Sequence, residues 1–383
     1  MKLNKIISGA TGVLLTVAMA AMAMAAPVQS TPPSSIGEPE GQLNIVVWEG
    51  YAQDEWVKPF EQQTGCIVHR KYAGSSDEMV ALMRQGGGSE YDLVSASGDA
   101  SLRLIYGGNV QPINVDLIPS WEDFIPQLQA PDFNTIDGVH YGLSYEWGPN
   151  VLLYNTDVVK QEPTSWSVIY SDEYAGRITV PDNPIQIADA ALYLKAHKPE
   201  LGIEDPYSLT QEQLQAVKQL LKKQRPLMKK YWGLASTEIA LFKNGGAVVG
   251  AAWPYQTNTL QEDGAPVADT IPEEGVTGWA DSWMLSVNAP HPNCAYLWMK
   301  YVSEPKVQAL QANYFGETPA NRQACDAMNA IQAGSCEKWH LNAPASYFDS
   351  IYFWKTPRKQ CANGGNNCTT YTQWLHAWQD IKH

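Results

Sequence analysis

The chain has 383 residues, with 40 acidic against 26 basic side chains and a net charge of −14 with histidine neutral. That balance makes nucleic acid and anionic membrane poor partners, since both repel an acidic surface. The length and an ordinary hydrophobic fraction of 44% allow one large domain or two.

The first residues carry Lys2 and Lys5, an apolar stretch runs through Val13–Val17, and Ala23-Met24-Ala25 precedes Ala26. This pattern predicts a secretory signal peptide over residues 1–25, too short and alanine-rich in its apolar part to be a stable membrane span. Loss of both lysines with it would take the net charge to −16. Residues 26–41 hold almost no large apolar group and are expected to form a flexible leader. The six cysteines all follow the signal peptide, and in an exported chain they favour disulfides over metal or redox sites. Cys361 and Cys368 flank a Gly-Gly-Asn-Asn turn and Cys325 and Cys336 close a short loop, which leaves Cys66 to join Cys294.

Leu43–Val47 reads as a buried strand, and 54–63 as a helix with Trp56 and Phe60 on one face and Pro59 awkwardly inside it. Residues 66–71 form a second strand. Ser75 to Glu78 is a capping box that starts a helix with Met79, Leu82 and Met83 inward, stopped at Gly86-Gly87-Gly88. A third strand at 91–96 and a helix at 99–106 follow. This alternation predicts parallel strands with helices on both faces. The pattern breaks at Tyr145-Glu146-Trp147-Gly148-Pro149-Asn150. A second αβ region then begins: strands at 151–154, 177–180 and 247–252, with helices at 187–196 and 210–223. A mostly apolar segment over 270–287 leads back to helices at 292–302 and 304–314. Two αβ lobes joined by crossings near 145–152 and 268–278 would form a clamshell, with a ligand between the strand C-termini of both.

The residues that follow the strands are unusually aromatic. They are Trp48-Glu49-Gly50-Tyr51, Ser97-Gly98-Asp99, Asp182-Asn183-Pro184-Ile185-Gln186, and Trp253-Pro254-Tyr255-Gln256. Within the return segment Trp279 and Asp281 stand two apart, on one face if the segment is a strand. An aromatic face beside a carboxylate suits an organic cation: the ring quadrupole attracts it by roughly 0.5–2 kcal/mol and the acid adds a charge-assisted hydrogen bond. Enzyme signatures are missing. There is no Gly-x-Ser-x-Gly, no phosphate-cradling Gly-x-x-x-x-Gly-Lys, no Cys-x-x-Cys and no His-Glu-x-x-His, and the histidines lack ligand spacing. No cofactor or metal is expected. An acid pair such as Asp99 with Asp281 leaves exported glycoside hydrolysis as a competing reading.

In these segments the chain resembles the periplasmic spermidine/putrescine-binding proteins of ABC importers, most closely a putrescine-type branch. The resemblance runs in order through Val47-Trp48 to Tyr51, Tyr91-Asp92-Leu93-Val94 with Ser97, Trp147-Gly148, Ser165-Trp166 with Tyr174 and Gly176, Trp253, and Glu274-Gly275 before Trp279 and Asp281. It implies the type II periplasmic-binding fold, an α/β architecture of two lobes around a hinged central cleft. The first lobe would be discontinuous, 42–147 with 272–383, and the second would span 148–271. It also implies a monomeric, non-enzymatic receptor that closes on its ligand and delivers it to an inner-membrane ABC permease. By family position Trp48, Tyr51, Ser97, Trp253, Trp279 and Asp281 would line the amine site. Departures occur at Asn183 and Gln186, where spermidine binders have acids, and at Gln256, where putrescine binders have one. The second positive end of a diamine would then fall to Glu49, Asp99 or Asp182. If none of them supplies a charge, the ligand would carry one amine, as in an ω-amino acid or an acylated polyamine. A sugar or amino-acid receptor with the same aromatic walls is the alternative among binding proteins.

Overall fold

A computed structural model describes residues 27–344, 347–348 and 350–383. The signal peptide expected over 1–25 lies outside them. Among the described residues no helix is long and apolar enough to cross a membrane.

The strands, in chain order, are β1 (Gln42–Val47), β2 (Ile67–Tyr72), β3 (Leu93–Ser97), β4 (Thr135–Ile136), β5 (Val139–His140), β6 (Leu143–Pro149), β7 (Val151–Asn155), β8 (Ile178–Pro181), β9 (Met228–Trp232), β10 (Val249–Ala252), β11 (Val267–Thr270), β12 (Val276–Leu285), β13 (Thr318–Pro319) and β14 (Ile351–Phe353). They build two main sheets. One has the order β13-β6-β12-β3-β1-β2 with β14 beside β12, and the other has the order β11-β7-β10-β8-β9. The expected parallel pairing holds for β1 with β2 and β3. β12 runs antiparallel to both β3 and β6, because the chain re-enters the first sheet from the second and approaches it from the cleft end.

Local signals set the helices. Ser75 accepts the Glu78 amide to start the helix Ser76–Arg84, and a full capping box at Thr210 and Gln213 starts Gln211–Gln224. The helix Asp54–Thr64 carries Pro59 inside it yet buries Trp56, Val57 and Phe60, so packing outweighs the lost hydrogen bond. The helix Pro292–Val302 has no side-chain cap of its own. Glu40 supplies one, accepting the amides of Asn293 at 3.0 Å and Cys294 at 2.9 Å, where a carboxylate also suits the helix dipole. Residues 27–41, expected as a flexible leader, thus lie against the first sheet's helices, with the Val28 and Pro33 carbonyls accepting from Tyr141 and Asn114.

The chain passes between the sheets at Pro149–Val151 and again between β11 and β12. The two crossings run side by side: Asn150 donates its amide to the Thr277 carbonyl and its Nδ2 to Thr277 Oγ1, each at 2.8 Å. Ser165-Trp166 and Glu274-Gly275 also meet here. Trp166 Nε1 donates to the Gly275 carbonyl at 3.0 Å, and Glu274 accepts from Ser165 Oγ with His197 Nε2 at 2.7 Å. These residues brace the crossing and do not line the cleft.

Three disulfides are formed, Cys66–Cys294, Cys325–Cys336 and Cys361–Cys368. The first spans 228 residues and ties the residue just before β2 to the helix Pro292–Val302. Loop-closure entropy grows with span, so removing it in Cys66→Ala/Cys294→Ala should cost about 4–5 kcal/mol. A denaturation midpoint equal to that of the oxidised parent would contradict this.

Candidate functional site

The ends of β1, β3 and β10 and the middle of β12 converge on a narrow cavity of about 10 Å³ lined by Trp48, Tyr51, Ser97, Trp253, Trp279, Asp281, Phe315 and Trp354. Every lining residue except Trp253 belongs to the first sheet and its helices; Trp253 follows β10 and enters from the second. The rings interlock. Trp48 and Trp253 lie edge to face at 6.1 Å across the sheets, and Phe315 meets Tyr51 at 4.9 Å, Trp279 at 5.6 Å and Trp253 at 6.3 Å. Two glycines make this possible. A Cβ on Gly50, whose φ is +102°, would stand 2.9 Å from the Phe315 ring, and one on Gly148 would stand 2.7 Å from Trp279.

Asp281 is the one acid in this wall. Its strand pairs Asp281 with Ser97 on β3, so the two side chains share the cavity face. Burial pushes its carboxyl up to about 7, against the pull of the Ser97 and Tyr51 hydroxyls, which favour the ionised form. Its Oδ1 has no hydrogen-bond partner, and neither do the indole N–H groups of Trp48, Trp253 and Trp279. An apolar box with a single unpaired acid can hold an organic cation by ring faces and one charged hydrogen bond.

The other expected site residues lie outside the cavity. Asp99 is buried behind it, accepting Ser76 Oγ at 2.8 Å, and burial raises its carboxyl to about 6. Asp182 turns to the C-terminal helix Tyr371–Lys382, taking Trp378 Nε1 at 3.0 Å and Lys382 Nζ at 2.6 Å. Gln186 donates to Asp189 at 2.6 Å, and Gln256 links the Trp253 amide to the buried Glu238. Glu49 sits at the rim, accepting Ser236 Oγ at 3.3 Å across the two sheets. Phe315 and Trp354 were not foreseen. Phe315 reads as an ordinary apolar position of its helix, whereas Trp354 follows β14 directly and obeys the same strand-end rule as Trp48.

A family model described as bacterial extracellular solute-binding protein matches residues 55–335. The chain belongs to this solute-binding family. Within it, the chain is 26% identical over 324 residues to a putrescine/agmatine-binding protein of Pseudomonas aeruginosa, covering 79% of this chain and 85% of the relative. It is 24% identical over 306 residues to the putrescine-binding periplasmic protein PotF of Escherichia coli, covering 75% and 80%. Among solved structures it shares the two-lobed fold of the spermidine/putrescine ABC transporter substrate-binding protein PotD of Streptococcus pneumoniae. That match has a TM-score of 0.69 at 17% identity and covers 90% of this chain and 100% of the other. The aromatic cavity of this solute-binding chain lies between the lobes.

Proposed function

We propose that the chain is the periplasmic substrate-binding component of an ABC importer for short polyamines, with putrescine the favoured class. The observation that carries this is Asp281: a buried carboxyl with an unpartnered oxygen, set in a wall of tryptophan, tyrosine and phenylalanine rings. One ammonium would rest on Asp281 and the methylene chain would lie between Trp48, Trp253 and Trp279. The curated relatives named for putrescine support the same class.

In this reading the signal peptide over 1–25 exports the chain to the periplasm. The lobes are 42–147 with 272–383 and 148–271, hinged where Asn150 meets Thr277. Closure brings Trp253 against Trp48 and presents the loaded receptor to an inner-membrane permease. No turnover is expected.

A thermal-shift panel with putrescine, cadaverine, spermidine, 4-aminobutyrate and simple sugars tests the reading. A cognate ligand at 100 times its Kd adds about 2.7 kcal/mol of stability. Stabilisation by putrescine is the expected result. Stabilisation by a sugar alone, or by none of the amines at millimolar concentration, would overturn it.

A further inference from the structure

Asp281 is not the only unpaired acid beneath the aromatic box. β12 pairs with β6 so that Asp281 stands opposite Glu146 and Trp279 opposite Gly148, and β13 continues the sheet with Thr318 opposite Trp147. Cross-strand partners share a face, and extending the β13 register by one residue sets Glu317 against Gly148. One face of three adjacent strands therefore carries Trp279, Asp281, Glu146 and Glu317. A register shift beside Asp281 leaves Tyr145 unmatched on β6, a bulge that brings its ring against Tyr51 at 5.3 Å.

Glu146 is 0% exposed and Glu317 2%, and none of their carboxyl oxygens has a hydrogen-bond partner. Among the described residues no lysine, arginine or histidine forms an ion pair with Glu146, Glu317 or Asp281. Buried acids without partners are costly to the fold, and each such group calls for an explanation. No cluster among the described residues is arranged to hold a metal ion. The neighbouring wall is aromatic, with its own unpartnered indole N–H groups. Both observations direct the missing positive charge towards an organic cation.

Adjacent strands lie about 5 Å apart, so the acids of β12, β6 and β13 fall within the reach of a short diamine, whose extended four-carbon form spans roughly 6 Å between its nitrogens. We propose that Glu317, with Glu146 beside it, receives the second ammonium of a short α,ω-diamine whose first ammonium rests on Asp281. The inference depends on reading the cavity as an amine site, and it identifies the acid that Asn183, Gln186 and Gln256 do not provide. The number of charges on the ligand then matters: a monoamine leaves Glu317 and Glu146 without a counter-charge.

The test is calorimetric titration at pH 8 of the wild type, Glu317→Gln and Glu146→Gln with putrescine and with n-butylamine, alongside apo melting curves. The wild type should prefer putrescine by at least 100-fold, and each variant should cut that preference at least tenfold. A preference unchanged in both variants, with or without a shift in melting temperature, would overturn the second anchor and leave the receptor reading intact. Failure of the wild type to bind any amine would overturn both.

Discussion

Replacing Asp281 by asparagine is expected to weaken putrescine binding by roughly 30- to 5,000-fold while stabilising the ligand-free protein at pH 8. The loss follows from removing one partner of a buried charged pair, which costs about 2–5 kcal/mol because the ammonium is then desolvated without a counter-charge. The gain comes from the same burial. Asp281 titrates at about 7 in the fold against an ordinary 3.8, so its ionised form is disfavoured by about 4 kcal/mol at high pH. A carboxyl with a raised folded pKa contributes its full stability below the unfolded value and loses it as pH climbs through the folded value. Apo denaturation curves of wild type and variant should therefore coincide near pH 4, diverge between 4 and 7, and differ by a constant amount above. An aspartate kept for the fold alone would show the opposite sign, with the variant less stable at pH 8 and binding untouched.

Putrescine binding should also be proton-linked and weaken in acid. The groups facing Asp281 are the hydroxyls of Ser97, Tyr51 and Tyr145 and the carboxyls of Asp99, Glu146 and Glu317; burial raises all three of those carboxyls. An incoming cation favours the ionised acids, so binding expels protons wherever the apo acids hold them, while the amine, near pKa 10.4 as in lysine, stays charged throughout. One proton leaves a group at about 7 and a further proton leaves Glu317 when it receives the second ammonium, so Kd should rise at least about tenfold per pH unit below neutrality, or at least roughly 100-fold by pH 5. Calorimetry in two buffers of different ionisation heat would count the protons released. A Kd that is flat from pH 5 to 8, with no buffer dependence, would contradict the burial-driven shift.

Much of this site was legible because one rule sufficed: in an open αβ fold, the residues after each strand line the cleft. Trp48, Tyr51, Ser97 and Trp253 follow readable strands, and the two-residue spacing of Trp279 and Asp281 set them on one face of β12. The same rule says where a residue stands but not where its side chain turns. Asp182 occupies a strand end and still spends its carboxylate on Trp378 and Lys382. Glu146, Glu317 and Trp354 were out of reach for a different reason. β6 ends in Gly148-Pro149 and is buried on both faces, so it shows no alternation, and β13 and β14 are too short for any periodicity. Their register depends on β12 arriving from the other lobe. A pairing between residues 146 and 281 has no local signature in the chain.

On this reading one amine binds against Asp281 inside the tryptophan-walled cavity. Titration of the wild type with putrescine at pH 8, followed by intrinsic tryptophan fluorescence, reports on that contact, since Trp48, Trp253 and Trp279 form the wall. The expected result is a saturable change at one ligand per chain that disappears in Asp281→Asn. No saturable change in the wild type up to 10 mM putrescine, on the order of the weakest specific affinities, or an identical curve in Asp281→Asn, would contradict it.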